Sequence, residues 1–302
     1  MPSDDGARPS GGVSFSGILL IDKPPAITSA EVVRRVKRRT RVKVGHLGTL
    51  DPFATGLLPL CLGEATKIAQ FLNTADKAYE GVIRLGCATD TGDRTGRPTR
   101  TAAVPDIDPA DLGALARRFT GDGLQTPPMY SALKRGGVPL YRLARQGVEV
   151  ERSPRPVRIH HLALEAGGPA CLRFALSCSK GTYVRVLAEE IGAALGLPAH
   201  LEALRRTAFG SFTIGDAIAL DAWEIEPVPG LVTLRQALAH LPAVPIDQAA
   251  AAAVRQGQAW PLAHLLAVSG DDAMLLDPAG EVVAVAVRKG DGWTYGRVLG
   301  AP

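Results

Sequence analysis

The 302-residue sequence predicts an α/β mixed fold of the α+β kind: a largely antiparallel sheet flanked by helices, then a small all-β C-terminal module. Three observations carry that prediction. Strand-like alternation recurs in "AYEGVIRLGCAT" (78–89) and "ACLRFALSCS" (170–179). Helical apolar spacing lies between such runs, but not at the regular interval of a doubly wound parallel sheet. Composition then shifts near residue 245, where short runs such as "AMLLD" and "EVVAVAVRKG" are separated by Asp-Pro, Gly and Asp-Gly turns.

The first 16 residues are rich in Gly, Ser and Pro and are expected to be disordered. They lack the apolar centre of a signal peptide. "GILLID" (17–22) reads as a strand stopped by Pro24 and Pro25. Thr28 and Glu31 have the spacing of a capping box that opens the helix "TSAEVVRRVKRRT". Val32, Val33 and Val36 fall on one side of it, and Arg34, Arg35, Lys37, Arg38 and Arg39 cover the rest. A solvated face of this kind ordinarily interleaves acids for i,i+4 pairing. Residues 32–44 hold none, which favours phosphate contact.

Further on, "EATKIAQFL" has helical spacing at Ala65, Ile68, Ala69 and Leu72. "TDTGDRTGRP" reads as a polar turn, because Asp90 and Asp93 lack the spacing of a calcium loop. A helix is predicted within 106–120. The stretch 124–152 has little periodicity. It is either a surface excursion with aromatic and basic side chains suited to gripping RNA, or a structured loop with a buried tyrosine. In "KGTYVRVLAEEIGAALG" a helix begins near Val184, with Leu187, Ile191 and Leu195 as its apolar stripe.

A hydrophobic content of 46% with 21% charged residues is ordinary for a soluble globular chain. No apolar stretch approaches the roughly eighteen residues that cross a bilayer, so a cytoplasmic protein without membrane contact is expected. The four cysteines form no C-x-x-C pair, which argues against a zinc site. The net charge is only +4, but "RRVKRRTRVK" (34–43) places seven basic residues in ten. Directly after it, "GHLGTLDPFATG" (45–56) sets one carboxylate, Asp51, in a glycine-rich loop. Such an aspartate is either a turn residue or a nucleophile delivered to a polyanion.

"GHLGTLDPFATGLLPLCLGEATK", with "LLIDKPPAITS", "KAYEGVIRLG", "PPMYSALKRGGVPLYRLARQG", "CSKGTYVRVLAEEIG" and "HLEALRRTAFGSF" in register around it, resembles the bacterial tRNA pseudouridine synthase B (TruB) family. The resemblance implies a sheet of the pseudouridine synthase type over residues 17–244, with the excursion at 124–152. It also implies a PUA-like RNA-binding domain over 245–302. The implied activity is isomerisation of uridine-55 in the tRNA T-loop, needing neither metal nor cofactor. The implied partner is tRNA, bound by a monomer with no obligatory protein partner.

By the same resemblance Asp51 is the catalytic carboxylate, Arg185 its cationic partner, and Tyr79 the residue that stacks on the displaced uracil. Tyr183 and Leu204 are expected to line one pocket, and His46 to insert where the flipped base leaves. Lys23, Arg34, Arg38, Arg39, Lys134, Arg142 and Arg145 are candidates for phosphate contact. Tyr183 and Arg185 can share a face only if the chain is still extended there. Ala26 stands where the family has glycine, which puts the turn geometry in question. The alternatives are a tRNA-binding folding factor in which catalysis is incidental, and a glycosidase, which normally needs a second carboxylate.

Overall fold

The structure, a computed structural model, describes residues 16–225 and 230–300; the expected disordered tail lies, but for Ser16, outside these. Its main sheet is mixed and mostly antiparallel. Four of its strands are β1 (Gly17–Lys23), β2 (Val44–His46), β3 (Thr55–Leu62) and β4 (Lys77–Leu85). Across the sheet the order is Ile218–Ala219, β1, β3, Ala199–Phe209, β4, Cys171–Cys178, Arg155–Ala166, Gly121–Gln125. Only the pairings of β1 with Ile218–Ala219 and of β3 with Ala199–Phe209 are parallel along this path.

The predicted first helix is α1 (Ser29–Thr40), and the Thr28 side chain accepts from the Glu31 N–H at 3.0 Å. Glu31 does not complete the box; its carboxylate turns to Arg34 and Arg35 instead. Val32 and Val36 are fully buried against the sheet, each contributing about 1.5–3 kcal/mol. The predicted strand at 78–89 ends at Leu85, because Gly86 takes φ +83° and Cys87–Thr89 pairs with Pro98–Thr101 in a separate hairpin. The helix within 106–120 is Pro109–Phe119, capped by Asp108. Ala26 adopts φ +66°, the left-handed conformation that glycine takes without strain.

A second sheet, Ala243–Pro245, Asp272–Leu276, Val282–Lys289 and Gly292–Val298, forms the C-terminal β module. It also carries the helix Gln248–Arg255, whose alanines the turn-rich reading left unassigned. One apolar cluster joins the two sheets: Ile18, Leu20, Leu57 and Phe71 pack with Met274, Leu276, Val282 and Val285. The helix α2 (Ala65–Leu72) lies at this seam, where Lys67 Nζ donates to Val298 O and the Gly300 N–H to Glu64 Oε2. A different cluster, with α1 and the helix Val184–Ala194, fills the other face of the main sheet and lies behind the Asp51 loop.

Candidate active site

The Asp51 loop leaves the sheet after β2 and returns through β3. Ser29 at the start of α1 anchors it: its Oγ donates to Leu50 O at 3.1 Å and accepts from Leu50 N–H at 2.9 Å. Lys23 anchors the other side. Its ammonium donates to Pro24 O and Ile27 O, both at 2.8 Å, and to Pro52 O at 3.2 Å. The residue is 0% exposed. This corrects the phosphate contact expected of Lys23: closure of the Pro24–Ile27 turn onto the loop buries the amine. Burial pushes it down to about 8, and the Asp51 charge opposes the fall.

Arg185 lies in the first turn of Val184–Ala194, where the helix dipole disfavours a cation. Four acceptor contacts offset that. Its Nε donates to Asp51 Oδ2 at 2.9 Å and its Nη2 to Asp51 Oδ1 at 3.4 Å. Nη1 donates to Thr91 O at 2.8 Å and Nη2 to Tyr130 O at 2.7 Å. The guanidinium is buried, whereas the Asp51 side chain keeps 35% exposure and so remains reachable. Burial raises the Asp51 carboxyl above the usual carboxylate range; Arg185 pulls it down, Asp93 pushes it up, and Lys23 pulls it down. Tyr183 itself is extended (φ −98°, ψ 106°), but the helix begins at the next residue and includes Arg185, so the extended run expected to align the two is not formed. Its N–H donates to Gln125 Oε1 at 2.7 Å.

Tyr79 and Leu204 lie on neighbouring strands, Leu204 opposite Gly81, and both are nearly buried in one apolar cluster. Burial pushes the Tyr79 phenol up, with Arg206 opposing. Leu204 also borders a cleft of about 530 Å³ with Phe53, Thr55, Gly81 and Arg94, but Tyr183 and Asp51 do not line it. His46 ends β2, half-buried; burial and Arg206 hold its imidazole below the usual value.

The basic residues divide. Arg34 is paired with Glu31, and Arg39 stacks over the Trp223 ring at 4.7 Å. Arg35 reaches Glu31, Glu224 and Asp221. Both of the expected phosphate ligands Arg34 and Arg39 thus have protein partners, supplied by the one acid ahead of the block and by a helix distant in sequence. Arg38 is exposed, as are Lys37, Arg41 and Lys43. In the excursion Lys134, Arg142 and Arg145 are exposed, with Arg145 over the Tyr141 ring at 5.6 Å.

Two participants escaped sequence reading. Asp93, read as a polar-turn residue, also serves the site: it is 5% exposed, with Oδ2 3.9 Å from Arg185 Nε. Thr91 and Thr95 hydroxyls and the Thr95 N–H all donate to its Oδ1. The D-x-T spacing, an Asx-turn signature, was the available signal. Arg206 is the other, a buried guanidinium behind the loop.

Residues 34–184 match the model of the TruB family pseudouridylate synthase N-terminal domain. The chain is 50% identical over 216 residues to tRNA pseudouridine synthase B of Opitutus terrae, covering 71% of this chain and 90% of that one. It is 50% identical over 247 residues to the protein of that name from Aromatoleum aromaticum, covering 80% of each. Among solved structures, a Cbf5–Nop10–Gar1 complex aligns with a TM-score of 0.68 at 25% identity, covering 96% of this chain and 85% of the other. The chain belongs to the TruB family of pseudouridylate synthases, enzymes of the isomerase class.

Proposed function

We propose that this protein converts uridine-55 in the T-loop of tRNA to pseudouridine, with Asp51 as the essential carboxylate. The observation that carries this reading is the two-point contact between Arg185 and Asp51, which opposes the rise that burial imposes on a partly exposed carboxylate and so favours its anion. In the reaction the N1–C1′ bond breaks, the uracil turns, and C5 bonds to C1′. The C5 hydrogen leaves as a proton and N1 gains one, so atoms and electrons balance without a redox partner. A carboxylate can serve by attack at C1′, by addition to C6, or by removing a sugar proton. Asp93 approaches the same Arg185 Nε that meets Asp51, so its charge raises the basicity of Asp51 and Arg185 limits the rise.

In this reading the uridine leaves its stack at a cost of a few kcal/mol, His46 fills the vacancy, and Tyr79, Tyr183 and Leu204 receive the base. The exposed cations Lys37, Arg38, Arg41 and Lys43, with Lys134, Arg142 and Arg145, follow the phosphates. Residues 17–244 act as the catalytic unit, 124–152 as its RNA-gripping excursion, and 245–302 as an RNA-binding module. The protein works as a cytoplasmic monomer. Site-resolved pseudouridine mapping on unmodified tRNA with wild-type and Asp51→Asn protein tests the proposal. Modification at position 55 that disappears in the variant supports it. Modification that survives, or a variant that keeps its full cellular effect, favours a tRNA-folding role instead.

A further inference from the structure

Arg206 is 1% exposed, and among the described residues no carboxylate pairs with it. A buried cation without a counter-carboxylate is costly, and a neutral chain of similar length would fill the space without desolvation. Its donors are answered by oxygen atoms instead. Nε donates to Leu57 O at 2.7 Å, and Nη2 to Gly48 O at 2.9 Å and Leu47 O at 3.4 Å. These carbonyls flank the catalytic loop on both sides.

The loop's glycines make room for this residue. Gly48 (φ +61°) could not carry a Cβ without placing it 3.1 Å from Arg206 Nη1 and 2.9 Å from the Phe209 ring. At Gly56 (φ +99°) a Cβ would stand 2.3 Å from Arg206 O. Arg206 also lies directly opposite Tyr79 in the antiparallel pairing of Ala199–Phe209 with β4, which sets its guanidinium beside the Tyr79 phenol, where it opposes the rise that burial imposes on that hydroxyl.

That last placement has a forced polarity. A guanidinium only donates, so toward it the Tyr79 oxygen can only accept, and the phenol's own hydrogen must point elsewhere. We propose that Arg206 is a positioning residue: it occupies the acceptor side of the Tyr79 oxygen and turns the phenolic O–H toward the base entering at Asp51, while the same guanidinium locks the loop that carries Asp51. This rests on the assignment of the Asp51 site as the place of reaction. Arg206 does not touch the substrate; it sets what Tyr79 can donate.

A double-substitution cycle reads this out. Single-turnover rates and tRNA affinities are measured for wild type, Arg206→Lys, Tyr79→Phe and the pair. Lysine keeps the charge but cannot span three carbonyls and a phenol. Arg206→Lys should slow turnover about thirtyfold when Tyr79 is present and no more than about threefold in the Tyr79→Phe background, with tRNA Kd within about twofold. Equal factors in both backgrounds, an unchanged rate, or a loss that follows tRNA affinity overturns the assignment. If Arg206→Lys does not fold, Gly48→Ala takes its place in the cycle, because the added methyl displaces the guanidinium with its charge intact. Asp51→Asn is run alongside. Turnover in that variant overturns the site itself, whereas an inert Asp51→Asn with multiplying Arg206 and Tyr79 effects overturns only the positioning role.

Discussion

Replacing Arg185 with glutamine removes the charge and keeps a side-chain amide. The guanidinium makes the two contacts to Asp51 and one each to the Thr91 and Tyr130 carbonyls. Glutamine's amide nitrogen carries two donors, so at least two of these acceptors go without a partner. Breaking a buried ionic contact of this kind costs about 3–5 kcal/mol of stability. The effect on Asp51 has a definite sign. Burial and Asp93 both favour its neutral form, and Arg185 is the largest influence opposing them. Without the guanidinium its carboxyl rises further above the usual range, and a larger fraction is protonated at any given acidic pH. The acid limb of the pH–rate profile therefore moves to higher pH. The assay is single-turnover loss of a hydrogen label from C5 of the target uridine, followed across pH. Arg185→Lys is the control: it keeps the cation, so its acid limb should stay near wild type while misplacement lowers the plateau about a hundredfold. A limb that does not move in Arg185→Gln, with the rate lost all the same, would refute the idea that Arg185 sets the ionisation of Asp51.

Ala26→Gly should raise stability by about 1 kcal/mol in chemical denaturation, because φ +66° strains alanine and not glycine; no change would mean the turn relaxes around the methyl. Lys23→Met should lower stability by about 2–4 kcal/mol by stranding three carbonyls, and leave the salt dependence of tRNA binding as it was. Neutralising Lys37, Arg38, Arg41 and Lys43 together should flatten the slope of log Kd against log salt by about 0.9 for each phosphate these cations neutralise. The same measurement on Arg34→Gln should show little change, since Glu31 already holds that charge.

What the sequence disclosed was what neighbouring residues decide. Thr28 caps α1 through an N–H three residues away, and the valine stripe is a matter of helical spacing, so both could be read directly. The Asp51–Arg185 contact joins residues 134 positions apart and became visible only through family resemblance. Lys23 was misread because its burial depends on closure against Pro52, which no local pattern encodes. Asp93 was read as a turn residue and is one, but its second contact stayed hidden because a polar turn looks alike whether it meets water or a guanidinium. Arg206 left a trace: two residues from Leu204 on one strand, it belongs by alternation to the apolar face. Its neighbour Arg205 turns the other way and meets Asp22 at 2.6 and 3.0 Å. Adjacent arginines on a strand have opposite fates, and the pair "RR" conceals this.

The apolar seam between the two sheets makes the last sixty residues a keystone and not a pendant. Met274, Val282 and Val285 shelter Ile18 and Phe71, so truncation ahead of Ala243 would strip the back of the catalytic sheet to water. Heating the intact chain should accordingly melt both sheets in one transition, and a calorimetric trace with two separate peaks would show them to be independent. The same seam sets the span between Asp51 and the far sheet. Under the proposed function, in which both sheets meet RNA, a substrate has to bridge that span before any chemistry begins.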